Sequence, residues 1–397
     1  MKTGLYSNDI ILELDNIKKL TEKFNNPQND LKFIHVAGTN GKGSVCAFLE
    51  SVLKVSGFVC GKFTSPEIRD VTDSISVNGE NIKKDELSAL FLKSKSAYNM
   101  ASDFEHLVNC AFLYFKEKKC DFVILETGLG GIGDATNIID APLYSIICKI
   151  SIDHTNFLGN TIEDIAEKKA GIIKKNSKTV TLKTQDENAL SVISKKCALE
   201  NNTLILTKTP EIYPPIGISE HFSYLGLDIV SGLSGFYQID NISLAIEVLK
   251  DLKIPDEFII KGIKDAKHPA RFEALSENLI FDGAHNPDGV ESFLSSLSRY
   301  FPNTKKNLII GMMRDKDINT VIELLKKYNE DKLSEIFTVE VLNNPRSANS
   351  SELEKEFIKN GFFVTNAKTL KNALNIIKKD RLTSVFGSLY LYKEFFI

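Results

Sequence analysis

Residues 35–45 read HVAGTNGKGSV, with Lys42 among Gly38, Gly41 and Gly43 and the apolar stretch LKFI just before. Glycines let backbone N–H groups approach an anion with no Cβ in the way, and they tolerate positive φ. A helix beginning near Ser44 would aim its unpaired N–H groups and positive dipole end into the same space. Lys42 adds a point charge suited to the β- and γ-phosphates of a nucleotide. The strict pattern G-x-x-x-x-G-K-[ST] is not met. Val36 stands where the first glycine belongs, and Gly43 follows Lys42 where a hydroxyl residue belongs. That hydroxyl holds magnesium in the strict motif, so either Ser44 substitutes or the metal ligand comes from elsewhere. The spacing predicts a phosphate-binding loop of variant form.

The elements that must position this loop follow from periodicity. Strand-like runs alternate with helical patterns: FIHVAG then SVCAFLESVLKVSG, DFVILETG, and YSIICKISI then TIEDIAEKKAGIIKK. Such alternation predicts a mainly parallel sheet flanked by helices. Glu126 ends the apolar run DFVIL, which would bring its carboxylate to the carboxyl edge of that sheet, where open α/β sheets bind ligands. Residues 199–233 change to short strands with Pro and Gly turns and read as antiparallel sheet at the edge of the first domain. After the helix QIDNISLAIEVLKDL and the polar connector KGIKDAKHPA, the alternation restarts with LIFDGAHNP, NLIIGMM, EIFTVEVL, GFFVTNA and TSVFGSLYL. The fold expected is α/β: residues 1–266 a P-loop-type ATPase domain, residues 267–397 a Rossmann-like domain.

Composition narrows the class. The chain has 397 residues, 43% hydrophobic and 25% charged, with a formal net charge of -3, an ordinary globular profile. That charge gives no reason to expect nucleic acid or an anionic membrane as partner. The six cysteines, at 46, 60, 110, 120, 148 and 197, form no C-x-x-C pair and fit a reduced compartment. The N-terminal MKTGLYSNDI lacks the apolar core of a signal peptide. No run reaches the roughly 18–20 apolar residues of a membrane span. A cytoplasmic monomer is expected.

The segment G-T-N-G-K-G-S resembles the loop of the folylpolyglutamate synthase and dihydrofolate synthase family, among the Mur-ligase-like ATP-dependent amide ligases. The likeness continues in family order through TSPEI (64–68), DFE (103–105), LETGLGGIGDATN (125–137), SIDHTNFLG (151–159), IAEKKAGIIK (165–174), GFYQIDN (235–241), HPARFE (268–273), FDGAHNP (281–287), RDKD (314–317), NPR (344–346) and FGSLYL (386–391). The resemblance implies ATP bound by Gly38, Gly41, Lys42, Gly43 and Ser44, with Asn241 on the adenine side, Arg271 on the phosphates and Asp282 on the ribose. It implies two Mg²⁺ ions held by Ser65, Glu126, His154 and a carbamylated Lys169. Lys42, Lys169, Asp282 and His285 are the residues it marks as catalytic. Phe104, Glu105, Asp134, Ala135, His285 and Ser388 would contact folate or glutamate. The implied reaction phosphorylates the carboxylate of dihydropteroate or a reduced folate and joins it to the amine of L-glutamate.

The sequence departs from the family pattern where substrate would lie. Ile132 replaces an Arg in GGR-x-DATN, and Asp73 and Ser74 stand where Glu and Arg are common. Glu67 follows TSP in place of His, Tyr237–Gln238 replaces His–Gln, and His268 opens HPAR in place of WPGR. The chain also begins late, so most of an N-terminal helix that helps bind the pteridine is expected to be missing. Two other readings are a Mur-type ligase of cell-wall precursors and a non-catalytic nucleotide-binding descendant. The run DATN…DHT…FLG and the absence of a uridine-nucleotide domain oppose the first. The intact metal-ligand set opposes the second.

Overall fold

The computed structural model describes residues 13–302, 304–328 and 333–396. The expectation about the N-terminal segment MKTGLYSND lies outside them. The chain divides into two compact units. The first holds the chain up to Tyr213, His221–Gly232 and Ile239–Lys267; the second holds Pro214–Glu220, Leu233–Gln238 and His268–Ile397. The second unit thus takes two short segments from within the stretch assigned by sequence to residues 1–266.

The first unit is built on an eight-stranded sheet. Its spatial order is Glu80–Asn81, Ile75–Val77, Cys60–Phe63, Phe122–Glu126, Phe33–Ala37, Tyr144–Ile147, Lys178–Thr181 and Thr203–Leu206. The last six run parallel, and the first two are antiparallel. Phe33–Ala37 is central and buried along its whole length, as a strand covered on both faces must be. On one side of the sheet, helix Asp103–Glu117 packs Leu107, Ala111, Phe112 and Phe115 against Phe33, Phe63 and Val123. Elsewhere helices Ile162–Ala170 and Glu187–Leu199 cluster with Ala37 and Ile147. The connection from Phe33–Ala37 leads toward Cys60–Phe63. Those from Phe122–Glu126 and Tyr144–Ile147 lead the opposite way, a topological switch at which ligands bind.

Three local readings need correction. The helix after the glycine loop spans Lys42–Val55 with Gly41 as its N-cap, two residues earlier than expected, because the left-handed Gly41 (φ 91°) already closes the turn. Thr203–Leu206 extends the main sheet in parallel, while Glu211–Ile212, Ser219–Tyr224 and Leu227–Ser234 form a separate three-stranded sheet. The segment KGIKD ends a helix, Asp256–Asp265. A Cβ at its Gly262 would lie 2.5 Å from the Val52 backbone. The Ser51 hydroxyl also donates to the Gly262 carbonyl at 2.7 Å. A glycine read as part of a polar connector is what lets two helices meet.

The second unit carries a six-stranded sheet in the order Glu273–Ser276, Leu279–Phe281, Leu382–Phe386, Lys306–Ile310, Leu333–Val339 and Val364–Lys368. All but the first strand are parallel. Helix Pro287–Tyr300 packs Val290, Phe293, Leu294 and Leu297 on Leu308, Ile310 and Phe386. The carboxyl ends of Leu279–Phe281 and Leu382–Phe386 lie side by side. FDGAHNP and FGSLYL are therefore brought together, with the Gly387 N–H donating to the Ala284 carbonyl at 2.8 Å.

Candidate active site

The glycine loop is fixed by its neighbour strand. The N–H groups of Thr39 and Asn40 donate to the Lys149 carbonyl at 2.9 and 3.3 Å. The Thr39 hydroxyl donates to the Ser151 carbonyl and accepts the Ser151 N–H, at 2.9 and 3.1 Å. A Cβ at Gly38 would fall 2.6 Å from Cys148 Cβ, and one at Gly41 would collide with Asn241 Oδ1. Asn241, in the first turn of helix Gln238–Asp251, is thus packed on the loop. Lys42 Nζ donates to the carbonyls of Gly38 and Thr39 at 3.1 and 3.3 Å and lies 4.0 Å from Glu126 Oε1. Gly43 and Ser44 are buried in the first turn of the helix.

Lys169 meets the same carbonyl. Its Nζ donates to Gly38 O at 2.8 Å across 131 residues of sequence. Burial, and then the charge of Lys42, lowers its pKa to about 7. A lysine so held is neutral for much of the time near neutral pH, as an amine must be to add CO₂. The helix that carries it is locked from behind. Asn137 Nδ2 donates to the carbonyls of Ile132 and Gly171, both at 3.2 Å, and the Ile132 N–H donates to Lys168 O at 2.9 Å.

The other proposed metal ligands follow strand register. Glu126 pairs with Val36 on one side and is buried. On the other side Phe63 pairs with Leu125, so Ser65 comes just beyond the level of Glu126. Ser65 Oγ is buried with no hydrogen-bond partner, an uncommon and costly condition for a hydroxyl. A hard cation at this edge would satisfy it, and Ser and Glu oxygens suit Mg²⁺. His154 is in the left-handed region (φ 52°). It lies three residues beyond Ser151, with its N–H on Asp153 Oδ1 at 2.8 Å. Among the described residues no three His, Cys, Asp or Glu converge on a metal position. The proposed set has only two of those types and depends on Ser65 and a modified Lys169. Its residues fit Mg²⁺.

The acceptor-side residues divide. The Phe104 ring covers Gly128, where a Cβ would lie 2.5 Å from its Cζ, and it sits 5.9 Å from Phe63. Glu105 Oε2 accepts from the Ser102 N–H and hydroxyl at 2.7 and 2.8 Å, a capping box. Asp134 Oδ2 accepts the Leu129 N–H at 2.7 Å, and Oδ1 accepts the Thr136 N–H and hydroxyl at 3.0 and 2.5 Å. Both carboxylates therefore shape backbone, and the buried Ala135 packs in the core cluster beside helix Asp103–Glu117. The substituted Asp73 does the same, accepting from Arg69, Asp70 and Asn81. Behind Asp134, His35 Nε2 lies 2.9 Å from Thr136 Oγ1. Because that hydroxyl donates to Asp134, it accepts from His35, which fixes the Nε2–H tautomer. Burial lowers the His35 pKa to about 3. Sequence reasoning missed this buried chain, whose sole signal was a polar residue inside an apolar strand.

In the second unit Asp282 ends strand Leu279–Phe281 and is buried. Its Oδ2 accepts the Phe272 N–H and the Tyr237 hydroxyl at 2.8 and 2.7 Å, and its Oδ1 accepts the Ala284 N–H at 2.7 Å. Burial raises its pKa, against the opposing charge of Arg271. A Cβ at Gly283 would lie 2.8 Å from Arg271 Nη1, so the guanidinium lies over that turn. His285 Nδ1 is 2.9 Å from the Gly283 carbonyl. Ser388 is buried, its Oγ accepting the Tyr390 N–H at 3.2 Å. Asp282 and His285 thus share the turn after Leu279–Phe281, which adjoins the Ser388 loop after Leu382–Phe386 and lies under the Arg271 guanidinium.

Comparison with known proteins agrees in both halves. Residues 36–249 match the Mur ligase middle domain, and residues 270–389 match the Mur ligase glutamate ligase domain. A dihydrofolate synthase/folylpolyglutamate synthase of Bacillus subtilis is 37% identical over 79% of this chain and 78% of its own. A dihydrofolate synthetase of Saccharomyces cerevisiae is 30% identical over 97% of both. The solved structure of E. coli FolC in complex with DHPP and ADP superposes with a TM-score of 0.86 at 27% identity, covering 99% of this chain and 94% of that one. The glycine loop, the two-unit α/β architecture and this full-length similarity converge: the chain belongs to the dihydrofolate synthase/folylpolyglutamate synthase family of Mur-type ligases.

Proposed function

We propose that the protein is an ATP-dependent ligase that joins L-glutamate to dihydropteroate, to the γ-carboxylate of a reduced folate, or to both. The supporting observation is the meeting of Lys42 and Lys169 on one loop carbonyl, with Glu126 at the same sheet edge. Loop N–H groups and Lys42 grip the triphosphate and stabilise charge on the γ-phosphoryl group. Ser65, Glu126, His154 and carbamylated Lys169 would hold Mg²⁺, two ions in our reading, which neutralises phosphate charge when bound. Carbamylation joins the neutral Lys169 amine to CO₂ with loss of one proton, turning a cation into an anionic oxygen donor.

The substrate carboxylate oxygen attacks the γ-phosphorus, and the bond to the bridging oxygen breaks to release ADP. The glutamate amine then attacks the acyl phosphate carbon. Inorganic phosphate leaves with its oxygen, and the amine proton passes to solvent. Positioning supplies most of the acceleration, consistent with the lack of any nucleophile elbow in the sequence. Asn241, Arg271 and Asp282 are assigned to ATP, with Asp282 at the ribose and close to the glutamate site. His285 and Ser388 are assigned to glutamate, and Phe104 to the pterin-bearing acid. Glu105, Asp134 and Ala135 shape that last site through the backbone.

The E. coli relative's complex with DHPP and ADP supports a pterin acid and nucleotide as ligands. We also place the chain in the cytoplasm as a monomer. All six cysteines are free, and no helix among the described residues is long and apolar enough to cross a membrane. Phosphate release from ATP, with glutamate and either dihydropteroate or tetrahydrofolate, tests the activity. Stimulation by one or both acids assigns the substrate, and release with neither contradicts the proposal.

A further inference from the structure

Tyr237 belongs to a segment that the reaction above leaves without a task, Leu233–Gln238, yet its hydroxyl reaches Asp282 across 45 residues of sequence. The segment is anchored to helix Pro287–Tyr300. The Gly235 N–H donates to the Tyr300 hydroxyl at 3.0 Å, and the Phe236 N–H donates to Ser296 Oγ at 2.9 Å. The Tyr237 ring folds back over Gly235, whose φ is 113° and where a Cβ would lie 2.7 Å from the ring. Tyr300 is itself fixed, because its hydroxyl donates to the buried Glu220 at 2.6 Å, and Arg299 grips the same carboxylate through Nε and Nη2. An anchored ring with a single hydroxyl aimed at a buried carboxylate is a built contact.

Each carboxylate oxygen offers about two acceptor positions. Oδ2 of Asp282 has both filled, by Phe272 and Tyr237, whereas Oδ1 has one filled, by Ala284. We propose that Tyr237 is a positioning residue for Asp282, fixing the carboxylate through Oδ2 so that Oδ1 is the oxygen left to accept a hydrogen bond from substrate. This rests on the reading of Asp282 as a substrate contact. A hydroxyl that donates to a carboxylate also favours its ionised form. The charged and titratable groups facing the pair are Arg271, which opposes the burial of both, and Tyr300 beside Tyr237.

The test compares Tyr237→Phe and Asp282→Asn in the full-length protein, by steady-state kinetics for ATP and glutamate, pH profiles of kcat/KM and thermal melting. Asp282→Asn is expected to lose about a hundredfold in kcat/KM, and Tyr237→Phe about tenfold, the scale of one charge-assisted hydrogen bond. Loss of the donor raises the Asp282 pKa, so the acid limb of the Tyr237→Phe profile moves up by about one pH unit, with a melting temperature near wild type. A purely structural tyrosine would lower the melting temperature and leave that limb in place, which overturns the inference. Wild-type kinetics and pH profile for Tyr237→Phe beside an impaired Asp282→Asn overturn it as well. Wild-type behaviour of Asp282→Asn overturns both the inference and the role of Asp282 on which it rests.

Discussion

The glycine loop of the first unit and the FDGAHNP turn of the second occupy the same place in their sheets, the carboxyl end of a buried parallel strand. They are built oppositely. Residues 38–43 converge cations and backbone donors: Lys42 and Lys169 both donate to Gly38 O, and a helix N-terminus opens at Lys42. The second turn is organised around an anion, with Asp282 accepting from Phe272, Ala284 and Tyr237. A site for triphosphate needs positive potential, whereas a site for an amino acid's ammonium needs a fixed acceptor. With triphosphate on the first turn and glutamate at the second, as proposed above, equivalent positions in two α/β sheets would take opposite charge from their ligands.

Removing the charge of the first loop should do the most damage. Lys42→Ala is expected to lower kcat/KM about a thousandfold, since a preorganised charge on the transferring phosphoryl group is lost. A loss below tenfold in steady-state assays would put the cationic role elsewhere. Lys169→Ala should lose about a hundredfold, and added short carboxylic acids should restore part of it by replacing the carbamate oxygens. A variant at wild-type rate removes Lys169 from the site. The second turn should respond differently. His285→Ala is expected to raise KM for glutamate about tenfold, roughly the worth of one lost hydrogen bond, with KM for ATP unchanged. A rise in KM for ATP alone would erase the contrast.

The smallest effect concerns the strand beneath the first loop. His35 has a pKa near 3 when folded and 6.5 when exposed, so below pH 6.5 the unfolded chain binds the extra proton. Stability from this group is complete above pH 6.5 and lost as pH falls toward 3. At pH 5 the loss is about 2 kcal/mol. Urea unfolding of wild type and His35→Gln at pH 7.5 and 5.0 should differ between the two pH values by that amount. No difference would mean that His35 is not held neutral.

Sequence legibility followed the same division. Gly38, Gly41 and Lys42 could be read because loop, charge and helix start are adjacent in the chain. Glu126 was legible because it ends an apolar run at a strand end. Lys169 is one of several lysines on its helix, and its singular property, burial against Gly38 O, exists only after residues 131 positions apart meet. The tasks of Glu105 and Asp134 were equally hidden, since a capping carboxylate and a ligand carboxylate are the same residue type in sequence. Gly262 looked like part of a connector because the Val52 backbone it must clear lies on a distant helix. The second unit's share of residues 214–220 and 233–238 was also out of reach. It depends on Glu220, Arg299 and Tyr300 finding one another.

The direct test of acyl transfer follows oxygen. Dihydropteroate, or a reduced folate, carrying ¹⁸O in its reacting carboxylate is incubated with ATP, Mg²⁺, glutamate and the purified protein, and the released phosphate is analysed by mass. One labelled oxygen per phosphate, with a matching amount of amide product, is the predicted result. Phosphate free of label, or label retained in the acid while ATP is hydrolysed, would contradict the account.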